Sequence, residues 1–255
     1  MSSGQHNGIF IEIDGVEPTG VILHVHGGGF ALGSATGSVG LASTLARKAG
    51  TSAVAIDYRL APENPYPAGL QDVTAAYRAL IAHDGDPRRV IVSGESAGGN
   101  LAVELLVAGK SSNLTMPAAA VLFSPMTDLT AAGDSYTTKS AVDPNITAKA
   151  IQIRARDYVG GTGTALTDPL VSPIFADLTA LPPLLIQAGS HEVLLDDATR
   201  LAAKAAADDV AVILDITPDV PHVFQAFAAF LEEGEAALTR AASFIQMHVH
   251  TGATA

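Results

Sequence analysis

The chain contains no cysteine. That excludes disulfides, thiolate catalysis and cysteine-based zinc sites, and it leaves the compartment open. Positive charge is scarce as well: 14 Lys and Arg stand against 26 Asp and Glu, for a net charge of −12. No lysine- or arginine-rich patch offsets this, so nucleic acid and anionic membranes are poor partners. No apolar run reaches membrane-spanning length. Residues 1–7 have neither the basic start nor the apolar stretch of a signal peptide, which makes the cytoplasm the default expectation. Internal repeats, low-complexity blocks and long polar linkers are also missing.

What remains is a globular composition. The 255 residues are 48% apolar and 16% charged, enough to bury a substantial core, and residues 1–255 are expected to form one domain. Strand-like runs at 9–13, 20–26, 52–57, 90–93, 118–123, 184–188 and 210–216 alternate with helical patterns at 41–49, 70–82, 101–108, 197–207 and 232–248. Gly50 and Gly109 are read as helix stops. Such alternation predicts an α/β architecture, a mostly parallel sheet covered on both faces. Residues 124–181 break the rhythm with many Thr, Asp, Gly and Pro and one helical pattern at 147–158. An irregular segment this long is usually functional, and it is expected to lie as a cap over the carboxyl edge of the strands, where open sheets bind ligands.

The most informative residue is Ser96. A β-branched strand runs into Gly94-Glu95-Ser96-Ala97-Gly98-Gly99, and an apolar helix follows. Gly-x-Ser-x-Gly in that setting is similar to the nucleophile elbow of α/β-hydrolases. The turn is so tight that side chains at Gly94 and Gly98 would strike backbone, and Ser96 is held strained with its hydroxyl toward the site.

A serine hydroxyl needs a base, and in this fold the chain order is Ser, acid, His. His6, His24, His26 and His83 precede Ser96, and His191 falls among the acid candidates. His248 and His250 close the terminal helix, which leaves His222, after Pro218-Asp219-Val220-Pro221. The acid should follow the strand at 184–188, where Glu192 is the first choice and Asp196 the second. Its task is to accept the second imidazole N–H and stabilise the imidazolium. Oxyanion donors are expected from Ala97 and from the turn His26-Gly27-Gly28-Gly29, with Gly27 and Gly28 as the donors there. His26 is read as a strut for that loop, not a proton carrier.

Several motifs in the right order extend this. His26-Gly27-Gly28-Gly29-Phe30, Asp57-Tyr58-Arg59-Leu60-Ala61-Pro62-Glu63-Asn64-Pro65-Tyr66-Pro67-Ala68, Asp86-Pro87-Arg88-Arg89, Ser124-Pro125-Met126-Thr127-Asp128-Leu129 and Pro221-His222-Val223-Phe224 resemble the signatures of the hormonesensitive-lipase-like family of α/β-hydrolases, from about Gly20 onward. The resemblance implies an α/β-hydrolase fold and hydrolysis of small, apolar esters or lactones through an acyl-enzyme. It implies no metal or organic cofactor, and a homodimer through the last strand and final helix. Amide, carbamate or acyl-transfer chemistry on the same triad stays open, as does a non-catalytic receptor. Three departures stand out. Only about 25 residues precede His26, so most of the family's N-terminal cap is expected to be missing and the entrance wider. Glu95 replaces the aspartate of many relatives. Glu192 replaces an aspartate too, a change shared with the bacterial lactone-hydrolase-like branch. Arg59 and Glu63 are expected to form an ion pair near the glycine loop, and Phe30 and Phe224 to line the pocket.

Overall fold

The structure, a computed structural model, describes residues 8–15 and 17–249. The elements in chain order are β1 (Gly8–Ile11), β2 (Val21–Val25), α1 (Ala35–Ala49), β3 (Ser52–Ile56), α2 (Ala68–Asp84), β4 (Val90–Glu95), α3 (Ala97–Ser111), β5 (Ala119–Phe123), α4 (Ser135–Thr138), α5 (Ala148–Val159), β6 (Leu184–His191), α6 (Leu195–Ala207), β7 (Val212–Pro221) and α7 (Glu232–His248). The sheet runs in the order β1-β3-β2-β4-β5-β6-β7. Among the described residues only β1 pairs antiparallel; the other pairs are parallel.

The apolar runs form strands here because both faces of the sheet are covered. Successive side chains of a strand point to opposite faces, and they feed two cores. Leu23, Val92, Leu122 and Ile186 join a cluster with Leu101 of α3 and Leu201 of α6. Their neighbours Ile22, Ile91, Val121 and Leu185 join another with Leu45 of α1 and Leu238 of α7. The sheet is therefore sandwiched, with its carboxyl edge left for a site. Among the described residues no helix is long and apolar enough to cross a membrane.

The sequence reading falls short at some ends. Helix α1 begins at Ala35, six residues before the expected start, because the Ser34 side chain accepts the Gly37 N–H and caps it; Gly37 and Gly40 hide the helical pattern. Gly109 is no stop, since α3 runs through it to Ser111. A Cβ there would lie 3.2 Å from the Met116 side chain, so close packing accounts for that glycine. Strands β6 and β7 extend beyond their apolar runs to His191 and Pro221. Residues 1–7, with His6, and the tail with His250 lie outside the described residues.

Candidate active site

The strand-to-helix turn at the end of β4 places Ser96. Its φ of 54° and ψ of −120° are sparsely populated for a non-glycine residue, a strain that the surroundings must hold. They do so on three sides: the Ser96 N–H donates to the Phe123 carbonyl at 2.9 Å, and the Ser96 carbonyl accepts from Asn100 and Met126. Around the turn a Cβ on Gly94 would stand 2.3 Å from the Gly98 oxygen, and one on Gly98 would stand 2.1 Å from the Val25 oxygen. Both glycines are dictated by backbone contact.

The expected acid and base, Glu192 and His222, arrive from adjacent strands. The β6–β7 ladder carries on past a bulge to pair His191 with Pro221, which sets the next residues, Glu192 and His222, side by side. Close approach makes this possible, for a Cβ on Gly189 would meet the Val220 oxygen at 2.2 Å. His222 Nδ1 lies 3.0 Å from Glu192 Oε2. The carboxylate is fully buried and the imidazole nearly so, so the contact is short, charge-assisted when His222 is protonated, and shielded from water. Asp143, from the irregular segment, braces the acid turn by accepting the Val193 N–H at 2.8 Å. The alternative acid, Asp196, is turned elsewhere and accepts the Ser135 N–H at 2.9 Å.

The glycine loop after β2 faces this assembly. His26 Nδ1 lies 2.7 Å from the Gly27 carbonyl and must be the donor, since a carbonyl only accepts. Burial pushes the imidazole below its ordinary range, against the opposing pull of that bond and of the Glu95 charge. A neutral His26, stacked on Tyr58 with ring centroids 4.3 Å apart, braces the loop. Gly27 differs from expectation. Its N–H donates to Glu95 Oε1 at 2.9 Å, so it is already spent. The donors left on the loop are those of Gly28 and Gly29, at φ of 105° and 62°. The Ala97 N–H adds a third, because the first N–H groups of a helix have no intrahelical partner. Glu95 is held in turn by His24, whose Nε2 lies 2.8 Å from Glu95 Oε2 and whose Nδ1 lies 3.3 Å from the Ser93 hydroxyl. His24 carried no sequence signal beyond its place in a strand.

Ser96, His222, Gly27, Gly28 and Gly29 line one cavity of about 520 Å³, with His26 and Glu95 at its wall. Its apolar lining is Leu32, Ile146, Ala150, Ile151 and Val223, of which three come from the irregular segment. Phe30 and Phe224 are not part of this lining. Phe30, at φ of 64°, stacks on Tyr158 at 3.9 Å, and Phe224 is fully buried against Val220 and Ala237. The expected Arg59–Glu63 pair is not formed either. Arg59 makes a two-pronged contact with Asp72 of α2, at 2.8 to 3.0 Å. Asp72 lies one helical turn past the start of α2, at a spacing that the linear signature does not display.

Residues 22–226 match the family described as alpha/beta hydrolase fold. An acetyl-hydrolase of Streptomyces hygroscopicus is 40% identical over 225 residues, which span 88% of this chain and 75% of that protein. An esterase of Acinetobacter venetianus is 37% identical over 226 residues, 89% and 74% of the two chains. Among solved structures, an esterase from the bacterial hormone-sensitive lipase family superposes with a TM-score of 0.93 at 42% identity, covering 96% of this chain and 82% of that one. The elbow, the coupled acid and base, and these likenesses agree: the chain belongs to the hormone-sensitive-lipase-like family of α/β-hydrolases.

Proposed function

We propose that the chain is a serine carboxylic-ester hydrolase acting on small esters or lactones whose acyl part fits an apolar wall. The observation that carries this reading is the 3.0 Å contact between His222 and Glu192, made at the same cavity that Ser96 and the glycine loop line. An esterase and an acetyl-hydrolase among the relatives support the same class of reaction.

In this reading Ser96 Oγ attacks the ester carbonyl as His222 takes its proton. The carbonyl π electrons move to oxygen, where the N–H groups of Gly28, Gly29 and Ala97 receive the charge. Collapse expels the alcohol, protonated by His222, and leaves Ser96 acylated. Water, deprotonated by His222, then attacks the acyl carbon and releases the acid and free Ser96. Glu192 accepts the Nδ1–H of His222 and holds the imidazole in the required tautomer. The chemistry draws on no cofactor. Exposed Ile213 and Leu214 on the outermost strand β7 support pairing of two copies along that edge.

The test is Ser96→Ala assayed on p-nitrophenyl acetate and butyrate. Loss of turnover, with loss of fluorophosphonate labelling, is expected; turnover at the wild-type rate refutes the proposal. Matched ester and amide substrates separate ester hydrolysis from amidase work, and a panel of acyl lengths and ring lactones sets the range.

A further inference from the structure

One cation faces the substrate cavity. Among the described residues Arg154 of α5 is the one Lys or Arg that lines it. Its stem is seated on the glycine loop: a Cβ on Gly29 would stand 2.6 Å from Arg154 Cγ and 3.2 Å from Cδ. Gly29 thus admits the arginine and fixes where its head lies, over the loop assigned above to the oxyanion. The side chain is about one-third exposed, so the guanidinium sits at the boundary between cavity and solvent.

The head is only partly engaged. Nη1 donates to Asp157 Oδ2 at 2.9 Å, a single bond from a group with five N–H donors in a planar fork. Asp157 itself is not part of the cavity lining. The other carboxylate at the cavity, Glu95, is turned inward to Gly27 and His24 and does not compete. Besides Ser34, Ser38 and the residues of the elbow, base and glycine loop, the wall is apolar, with Leu32, Ile146, Ala150, Ile151 and Val223. A planar cation with free donors at the end of a short apolar surface matches a short chain that ends in a carboxylate, since guanidinium and carboxylate pair through parallel hydrogen bonds. In a chain of net charge −12, long-range electrostatics works against an anionic ligand, so one that is accepted needs a local cation.

We propose that Arg154 is a specificity residue which selects esters carrying a free carboxylate a few carbons from the scissile carbonyl, such as monoesters of short dicarboxylic acids. This rests on the ester-hydrolase reading and narrows it.

The experiment compares kcat/KM for monomethyl adipate and its uncharged counterparts, methyl hexanoate and dimethyl adipate, by pH-stat titration at low salt. It uses the wild-type protein, Arg154→Gln and Arg154→Lys. The expected result is a wild-type preference for the monoester. In Arg154→Gln the ratio of monoester to neutral ester falls about tenfold, mostly through KM for the monoester, and Arg154→Lys restores part of it. The wild-type ratio should also decline as salt is raised, because a partly exposed pair is screened. A ratio that is the same in the wild type and Arg154→Gln overturns the proposal, even where both rates drop together, since a merely structural arginine affects all three esters alike. Failure of the underlying reading looks different: p-nitrophenyl butyrate turnover then survives Ser96→Ala.

Discussion

The Gly27 N–H donates to Glu95 Oε1 at 2.9 Å, and this bond joins the nucleophile strand to the glycine loop. Its second oxygen, Oε2, is held by His24, so the side chain next to the nucleophile fixes the loop that faces it. Removal of the carboxylate frees the Gly27 N–H and leaves His24 Nε2 buried without its neighbour. Glu95→Ala is expected to lower kcat by about ten- to a hundredfold, less than deletion of a direct donor costs. KM for a small neutral ester should move little. Glu95→Gln keeps an oxygen for Gly27 and should recover much of the loss. Steady-state kinetics on p-nitrophenyl butyrate reads both, and equal, full activity in Glu95→Ala would remove Glu95 from the loop's support.

In the proposed reaction Glu192 acts through His222 alone, at 3.0 Å. Its loss leaves His222 free to rotate and to take the wrong tautomer. Glu192→Ala is expected to cost about 10⁴ in kcat, the scale known for triad acids, while Ser96 stays in place. Glu192→Asp should retain more activity, limited by a side chain one methylene shorter across a 3.0 Å contact. An unchanged kcat in Glu192→Ala would hand the acid role to another carboxylate.

How far the sequence could lead is visible at these residues. The Ser96 elbow was legible because its reasons are local: Gly94 and Gly98 are needed by backbone a few residues away or in the next strand. Glu192 and His222 could be picked by chain order, but their meeting depends on a bulged continuation of β6 and β7 from His191 to Pro221, which no apolar alternation marks. The partner of Arg59 was missed because Asp72 reaches it through the helical spacing of α2. The engagement of the Gly27 N–H is not legible either, because the sequence does not say that Glu95 takes it. Arg154 lay in a segment whose periodicity gave a helix but no face.

Gly29 carries two constraints at once, a φ of 62° and the stem of Arg154 packed against its Cα. Gly29→Ala should strain the backbone and push Arg154 away, shifting the loop's N–H groups. A fall in kcat of about 10²-fold is expected, comparable with loss of one oxyanion donor. Adding Arg154→Ala should relieve the clash with Cγ and Cδ but leaves Cβ at 3.0 Å and the positive φ, so the double variant recovers only part of the activity. Full recovery would mean that the contact with the outer part of the arginine stem alone matters and that the loop tolerates an L-residue there.

Asp197 makes folding stability depend on pH. Burial raises its carboxyl to about 8, against the N–H of Asp128, with the charge of Asp128 adding to the rise. In the unfolded chain it titrates near its ordinary 3.8. Between those values the folded protein holds a proton that the unfolded chain has released, so stability declines as pH rises from about 4 to about 8 and levels off above. Asp197→Asn removes the titration and keeps an oxygen for the Thr127 and Asp128 N–H groups. Urea midpoints at pH 5, 6.5 and 8 should fall less steeply in the variant. Parallel lines for the two proteins would contradict a proton held at Asp197.

Glu104 and Tyr158 tie the nucleophile helix to the segment over the cavity. Tyr158 of α5 donates to Glu104 Oε2 of α3 at 2.8 Å, and the same ring stacks on Phe30 beside the glycine loop. Glu104 is fully buried, and burial pushes its carboxyl well above the ordinary range, against the opposing pull of the Tyr158 hydrogen bond. Tyr158→Phe keeps the stacking but takes the donor away from that carboxyl. Leaving a buried acceptor unmatched costs about 1–3 kcal/mol, which should appear as a lower urea midpoint with an unchanged slope. Because the ring remains, the position of Phe30 should hold and kcat on p-nitrophenyl butyrate should change less than twofold. Tyr158→Ala removes the stacking as well, and its kcat should fall together with stability. If Tyr158→Phe lost activity without losing stability, the hydroxyl would serve the site and not the joint between α3 and α5.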